Sequence, residues 1–233
     1  MLILALDTTT RAGSVALLRD GMVIHEQSGA PDLTHGQRLP GELIAACQAA
    51  GIDIADVELF AVAAGPGSFT GLRIGIATMQ GLAMARGGRI VAVSALEAIA
   101  VAAGDAPARV VSWMDAQRGE VFAQVFEREP GQAVARPLVE AISATPAAAL
   151  ERHAEWLDGA RFAGDGALRY REEIVAARGD RADVATGVPR LAAAIGRIAS
   201  QAPDRAVLPH AVQPIYVRRP DAEIARDRRA AGA

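Results

Sequence analysis

With 233 residues, the chain is long enough for one large domain or two smaller lobes, each with a hydrophobic core. Hydrophobic residues make up 51% and charged residues 22%, which excludes an intrinsically disordered chain. The formal net charge of −3 argues against an autonomous nucleic-acid-binding protein, because contacts with phosphates need clustered cations.

The C-terminal tail is the one exception to this charge balance. Its arginines lie close together: Arg218, Arg219, Arg226, Arg228 and Arg229. A solvated terminus is the favoured interpretation, and a contact with RNA or with a partner protein is the alternative.

The chain holds one cysteine, Cys47, and four histidines. A single thiol rules out an internal disulfide framework and a thiolate zinc cluster, and no two histidines have the spacing of metal ligands. We therefore expect no metal and no cofactor. The N-terminal run reaches Asp7 after a few apolar residues, which predicts a buried strand rather than a signal peptide. Together with the lack of a long apolar stretch, this predicts a cytoplasmic protein.

The first hundred residues predict three meandering strands and then strand–helix units, and thus a mixed sheet covered by helices. The expected strands are 2–7, 14–18, 22–26, 59–64 and 90–93, and the expected helices are 34–49, 70–86 and 94–103. Asp20-Gly21 signals the hairpin between the second and third strands. Because Pro40 interrupts the first helical pattern, we expect that helix to begin close to Pro40, after an entry turn.

Residues 109–126 repeat the opening of the chain. A strand ends in Asp115, a turn contains Gly119 and a second strand follows, in the same order as Asp7, Gly13 and the strand after them. The repetition indicates an internal duplication, although two hairpins can also be similar by chance. The rest of this half predicts helices at 146–157, 167–178 and 190–201 and a strand at 161–163.

These patterns predict two lobes joined near Gly104. The first lobe is expected over 1–104 and the second over 105–204. The C-terminal segment, 205–233, is expected to pack back on the first lobe and to end in the basic tail.

The loop from Gly65 to Gly71 joins a strand to a helix and could cradle a phosphate. It fits neither standard template, because a Walker loop needs a lysine, which the chain lacks, and the Rossmann spacing is one residue shorter. Packing explains the glycines better. Gly71, Gly75 and Thr78 place small groups on one helical face, where another helix can approach closely. A neighbour in the same chain is the default, and a partner subunit is the alternative.

The turn after Asp7 is a second candidate for phosphate binding. Its hydroxyl and N–H groups could face a phosphate while the carboxylate holds a hydrated Mg²⁺. From spacing alone, an ordinary turn whose side chains bond the local backbone is favoured. The hydroxyls of Ser68 and Thr70 have no adjacent base, and Asp115 with Glu120 fits the solvent end of a hairpin as well as an acid pair. Nothing in these residues demands catalysis.

Five blocks of sequence carry a family resemblance. They are Leu4–Thr9, Thr34–Pro40, Gly65–Gly75, Asp115–Val121 and Pro214–Arg218. In this order they resemble the TsaB family, also called YeaZ; the glycine-rich block is highly specific, and the others are specific through their order. The resemblance implies an α/β, two-lobed actin/Hsp70-like (ribonuclease H-like) ATPase fold, with duplicated mixed sheets flanked by helices.

TsaB is similar to TsaD, the metal-dependent subunit that transfers threonylcarbamoyl to the adenosine beside the anticodon of certain tRNAs. Where TsaD has two metal-binding histidines, this chain has Ala95 and Ile99, which cannot bind a metal. Where TsaD has a double-glycine turn near the nucleotide, Asp165 stands between Gly164 and Gly166 and would disfavour a phosphate if it points inward. The resemblance therefore implies a lost catalytic site on a retained fold.

The resemblance further implies a non-catalytic scaffold that pairs with a TsaD-like subunit through its first-lobe helices and is joined by a TsaE-like ATPase. By similarity, the expected interface residues are Leu39, Leu43, Gly71, Arg73, Ile74, Gly75 and Thr78. The expected remnant of the nucleotide site is Asp7, Thr8, Thr9, Asp115, Gly164 and Gly166. Contact with tRNA would be indirect, through the complex, and the same face could form a homodimer when the chain is alone.

Two other functions stay open at this point. An independent ATPase or small-molecule kinase of the same superfamily would use Asp7 and Asp115 around Mg²⁺, and it would bind Mg–ATP tightly without a partner. A metallopeptidase is disfavoured because the histidine pair is missing. A binding protein without nucleotide chemistry is the preferred interpretation.

Overall fold

The computed structural model describes residues 1–104, 107–129 and 132–218, which contain two β-sheets and seven α-helices. The strands are β1 (Leu2–Asp7), β2 (Ser14–Arg19), β3 (Met22–Ser28), β4 (Leu59–Gly65), β5 (Arg89–Ser94), β6 (Arg109–Gln117), β7 (Glu120–Arg128), β8 (Ala135–Pro137), β9 (Ile142–Ala144), β10 (Arg161–Ala163) and β11 (Asp183–Val184). The helices are α1 (His35–Ala50), α2 (Phe69–Arg86), α3 (Ala95–Ala102), α4 (Pro146–Arg152), α5 (Asp165–Arg169), α6 (Arg171–Arg178) and α7 (Ala192–Gln201).

The two sheets are built on the same plan. Sheet A has the strand order β3-β2-β1-β4-β5, and sheet B has the order β11-β10-β6-β7-β8, with β9 also paired to β7. In each sheet an antiparallel hairpin, β1–β2 or β6–β7, is extended by a parallel strand, β4 or β10. Both sheets are therefore mixed, as the sequence predicts.

Strand alternation assigns the core residues to separate layers. In β1, Leu4 and Leu6 belong to the core under α1 and α2, whereas Ile3 and Ala5 face the layer formed by α3 and α7. Residues of β6 divide in the same way, so that Trp113 faces the helices on the far side of sheet B. The layers are thus α1 and α2, sheet A, α3 and α7, sheet B, and α4 to α6.

Helix α7 corrects the predicted lobe assignment. Its sequence position falls in the second predicted lobe, over 105–204, but it packs on β1 and β2 of sheet A. The Ser14 hydroxyl accepts a hydrogen bond from the N–H of Ala192 at 3.0 Å, and Gly196 lies against Leu18. The spacing of apolar residues predicted this helix. The sheet on which it packs depends on which apolar sheet face the rest of the chain leaves uncovered.

The C-terminal segment from residue 205 to Arg218 returns along sheet A and α2. Val207 bridges to Ile90, the Ile215 N–H donates to the Ala64 carbonyl at 2.7 Å, and Gln80 on α2 donates to the Pro209 carbonyl at 2.8 Å. The remaining arginines of the predicted basic tail, from Arg219 onward, lie outside the described residues.

Helix α1 is continuous from its first residue, so the prediction of a separate entry turn before Pro40 is wrong. Tertiary contacts hold the turn on the N-terminal side of the proline. The His35 ring bonds the Thr10 carbonyl at 3.0 Å, and the Arg38 guanidinium donates to the Ala12 carbonyl at 2.5 Å. These bonds offset the loss of one helical N–H donor. Across the described ranges, the helices lack the combination of length and apolar content needed to cross a bilayer.

Candidate docking face and inter-lobe cleft

A cleft of about 660 Å³ lies where the two hairpin turns meet the N-terminus of α2. Its walls include Thr9 and Thr10 after β1, Ser68 at the start of α2, and Asp115 and Asp165 from the side of sheet B. This is the place where the carboxyl ends of β1, β4 and β6 converge. Of the residues predicted for the nucleotide-site remnant, Thr9 and Asp115 line this cleft.

The side chains of the turn after β1 form hydrogen bonds within the turn. One Asp7 carboxylate oxygen accepts hydrogen bonds from the Thr9 N–H at 2.8 Å and from the Thr9 hydroxyl at 2.6 Å. Burial raises the pKa of Asp7, while these bonds to Thr9 oppose the shift and the charge of Asp165 adds to it. Thr8 is buried and faces α2 rather than the cleft. The arrangement matches the ordinary-turn interpretation of this segment.

Asp165 places a carboxylate in the wall of the cleft. One of its oxygens accepts from the Asp115 N–H at 3.1 Å and from the Gly166 N–H at 2.9 Å. Burial is the main cause that raises its pKa, and the charge of Asp115 contributes to the rise. Asp115 is itself paired with Arg169 at 2.8 Å. Asp165 therefore adds a carboxylate to the lining of the cleft, with one oxygen held by two backbone N–H groups.

Gly164 and Gly166 serve packing. A Cβ on Gly164 would lie 2.2 Å from the carbonyl oxygen of Trp113, and a Cβ on Gly166 would lie 2.8 Å from the carbonyl carbon of Met114. Both glycines thus let α5 approach the backbone of β6. Gly164 also has a φ of 107°, which favours glycine.

The positions that match the TsaD histidines lie in the middle layer. Ala95 and Ile99 are buried on α3 among the residues that join the two sheets. In the described parts of the chain, no three side chains of His, Cys, Asp or Glu come together as a metal-binding group.

We expect Asp165→Asn to increase stability, and to do so more at neutral than at acidic pH. Because the folded state raises the pKa of Asp165, the unfolded chain releases this proton first, and stability falls as pH rises from about 4 to the raised pKa. Asparagine keeps the acceptor oxygen without the charge. Urea unfolding at pH 4 and pH 7 measures the effect, with Asp180→Asn as the exposed control. A gain that is equal at both pH values would contradict the assignment.

Two of the predicted interface residues, Leu39 and Leu43, are in the core of the first lobe. They are only 1% and 4% exposed and pack between α1 and sheet A. A partner cannot reach them without unfolding α1, so these two assignments are corrected. Leucines at helical spacing marked the inward face of the helix, and the sequence pattern does not distinguish that face from a docking face.

The glycine stripe on α2 is also used within the chain. A Cβ on Gly71 would lie 2.2 Å from the Thr8 carbonyl oxygen, and a Cβ on Gly75 would lie 2.1 Å from the Thr8 hydroxyl. The close approach that the spacing predicts is therefore made by the end of β1. Gly71 and Gly75 are corrected from interface residues to packing residues.

The outer surface of α1 and α2, which we call the outer face, consists of other residues. It includes two large exposed apolar side chains, Ile44 (58%) and Met84 (66%), and two exposed glycines, Gly41 and Gly81. Of the predicted interface residues, Arg73 is exposed, and Ile74 and Thr78 are half-buried. The sequence could have identified Ile44 as exposed. It directly follows the inward-facing Leu43, and successive residues of a helix point in different directions.

An arginine–aromatic cluster lies where the outer face meets the mouth of the cleft. The Arg73 guanidinium lies 3.9 Å above the centre of the Phe69 ring, and Phe69 stacks on Tyr216 with ring centres 5.6 Å apart. The Tyr216 hydroxyl accepts a hydrogen bond from Arg73 Nε at 3.3 Å. Tyr216 belongs to the C-terminal segment, far from Phe69 and Arg73 in sequence, so the sequence alone did not predict this cluster.

The sequence relatives of this chain that have a described function agree with one another in that function. A family profile described as "TsaD: tRNA N6-adenosine threonylcarbamoyltransferase" matches residues 31–143. The tRNA threonylcarbamoyladenosine biosynthesis protein TsaB of Escherichia coli is 38% identical over 131 residues, which cover 55% of this chain and 56% of that protein. The chain thus spans about half the length of the curated relatives it matches.

Solved structures extend the similarity to nearly the whole chain. YeaZ from Pseudomonas aeruginosa superposes with a TM-score of 0.75 at 30% identity, over 92% of this chain and 99% of that one. Component A of the (R)-2-hydroxyglutaryl-CoA dehydratase of Acidaminococcus fermentans has a TM-score of 0.50 at 10% identity, over 86% and 98% of the two chains, and shows the fold alone. The predicted actin-like ATPase fold, with two mixed sheets flanked by helices, is confirmed.

Proposed function

This chain belongs to the TsaB (YeaZ) family, and from that membership we propose that it is a non-catalytic subunit of tRNA threonylcarbamoylation. Its role is to dock a TsaD-like catalytic subunit through the outer face, with a TsaE-like ATPase joining the pair in the cytoplasm. Contact with tRNA is indirect, through the assembled complex.

The observation that carries the proposal is the pair of exposed glycines on the outer face. A Cβ on Gly41 or Gly81 would meet nothing within 4 Å, so packing within this chain does not require either glycine. Each costs a helix about 1 kcal/mol relative to alanine. A partner helix that approaches the backbone closely gives these glycines a use, in the way that Thr8 does for Gly71 and Gly75.

The apolar residues around the glycines support the same role. Ile44 and Met84 each expose more than half of their side-chain surface to solvent. Exposed apolar groups beside small residues are typical of the centre of a protein interface. The docking partner therefore contacts the outer face rather than the inward leucines.

The residues that line the cleft support a non-catalytic role. Thr9 bonds one oxygen of the Asp7 carboxylate, Asp115 is paired with Arg169, and Asp165 adds a further carboxyl group to the wall. A triphosphate in this space would meet the carboxylates of Asp115 and Asp165, whereas the two arginines of the lining, Arg11 and Arg218, are already engaged by the Pro31 carbonyl and by Glu120, which disfavours binding. The independent ATPase is accordingly the weaker alternative.

Reconstitution tests the proposal. A TsaD-like subunit is assayed for modification of tRNA with and without this chain, in the presence of the TsaE-like ATPase and the threonylcarbamoyl donor. We expect the chain to raise the rate of tRNA modification. No change in rate, or turnover of Mg–ATP by this chain alone, would refute the proposed role.

A further inference from the structure

The arginine–aromatic cluster contains two aromatic rings that the core does not use. The rings of Phe60, Phe126, Phe162 and Trp113 are fully buried, whereas Phe69 and Tyr216 are 43% and 40% exposed. Only 4% of the residues are aromatic, so two exposed rings stacked on each other form a distinct surface feature. Exposed aromatic and arginine side chains are enriched among the residues that dominate binding energy at interfaces.

The two rings fix the orientation of Arg73. The guanidinium carbon lies 3.9 Å from the centre of the Phe69 ring, and Nε donates to the Tyr216 hydroxyl at 3.3 Å, so two contacts restrain the side chain. Arg73 is exposed, and its Nη groups form no hydrogen bond with the described residues. Within residues 1–104, 107–129 and 132–218, Arg73 forms no ion pair. A guanidinium can bind a carboxylate through two parallel hydrogen bonds, for example from its two Nη groups.

A fixed guanidinium binds at a lower entropic cost than a free one. An ordinary exposed arginine must order a long side chain when it forms an ion pair, which is why most surface pairs contribute little. Here the side chain is already held by contacts with residues 4 and 143 positions away in the sequence. The cluster is therefore suited to a strong, directional contact with an anion.

The surroundings favour a carboxylate on a protein over the phosphates of RNA. The neighbours of Arg73 on the outer face are apolar or small, including Ile74 and Ala77. Two other arginines at the cleft are engaged, since Arg11 donates to the Pro31 carbonyl at 2.9 Å and Arg218 pairs with Glu120 at 3.2 Å. An RNA backbone needs several unengaged cations together, and within the described residues the other arginines that line the cleft are already bonded.

We propose that Arg73, held in place by Phe69 and Tyr216, anchors an Asp or Glu side chain of the docking partner at the edge of the outer face. The inference rests on the proposed function and deepens it. It names the chemistry of the partner's contact and makes Tyr216, from the C-terminal segment, a positioning residue for the interface.

Calorimetric titration of the TsaD-like subunit into variants of the full chain tests the inference. Arg73→Met should weaken binding about 10- to 100-fold. Tyr216→Phe keeps the ring and removes only the hydroxyl acceptor, and it should weaken binding by roughly 3-fold. Because Tyr216 acts through Arg73, the double variant should bind like Arg73→Met alone. Arg197→Met, an exposed arginine on α7, is the charge-matched control and should bind like wild type.

The outcomes separate the two proposals. If wild type binds and Arg73→Met binds equally well, the anchor is refuted while the proposed function stands; if wild type does not bind at all, both fail. Additive losses in the double variant would show that Tyr216 contacts the partner itself and overturn its positioning role. If Arg73→Met instead weakens tRNA binding by the isolated chain and leaves partner binding intact, the anion is a phosphate and the protein assignment is wrong.

Discussion

Replacing Gly71 with alanine should destabilise the chain by about 3 kcal/mol, near the upper end for inserting a methyl group into a packed site. The added carbon would lie 2.2 Å from the Thr8 carbonyl oxygen, which is backbone and cannot rotate away. For a chain of this length, the loss corresponds to a fall in melting temperature of roughly 6–12 °C. Thermal unfolding followed by circular dichroism measures it.

Gly81→Ala is the matched control, because both glycines lie on α2 and the same methyl group is added. Nothing lies within 4 Å of the new carbon at Gly81, so alanine should stabilise the helix by about 1 kcal/mol. The two substitutions should therefore shift the melting temperature in opposite directions. A Gly71→Ala variant as stable as Gly81→Ala would show that Thr8 does not occupy the glycine stripe.

The double substitution Ile44→Asp with Met84→Asp should weaken binding of the TsaD-like subunit at least about 100-fold. Each change buries an unpaired carboxylate in the assembled interface, which costs several kcal/mol. Both side chains are more than half exposed in the isolated chain, so its own stability should change little. Calorimetric titration gives the affinity, and thermal unfolding of the free chain confirms that the fold is intact.

Met22→Asp with Val188→Asp is the control pair on other surfaces, since these side chains are 72% and 55% exposed. It adds the same two charges and should leave the affinity unchanged. Equal losses from both pairs would indicate an effect of net charge. No loss from the Ile44 and Met84 pair would place the docking surface elsewhere.

Much of the fold follows from local patterns. The apolar run that ends at Asp7, the Asp20-Gly21 hairpin and the repeated motif at Asp115 predicted strands and turns that the structure contains. These features depend on residues close in sequence. The actin-like arrangement came from the family resemblance, and the similarity to solved structures agrees with it.

The face that each helix buries was harder to predict. Leu39 and Gly75 have the residue types expected of an interface, yet the structure uses both inside the lobe. Small and apolar residues meet the same physical demands whether the neighbour is the same chain or another one. Two long-range contacts decide which surface stays exposed. One joins the end of β1 to α2, and the other joins Tyr216 of the C-terminal segment to Phe69 and Arg73.

The position of α7 has a consequence for how the chain can be divided. In the N-terminal hundred residues, the face of sheet A that carries Ile3 and Ala5 is covered only in part, by α3, until residues 192–201 have been synthesised. A fragment cut at the apparent boundary near residue 104 would expose that face to water and tend to aggregate. Ribosomal synthesis must therefore proceed through most of the polypeptide before the N-terminal half can complete its folding.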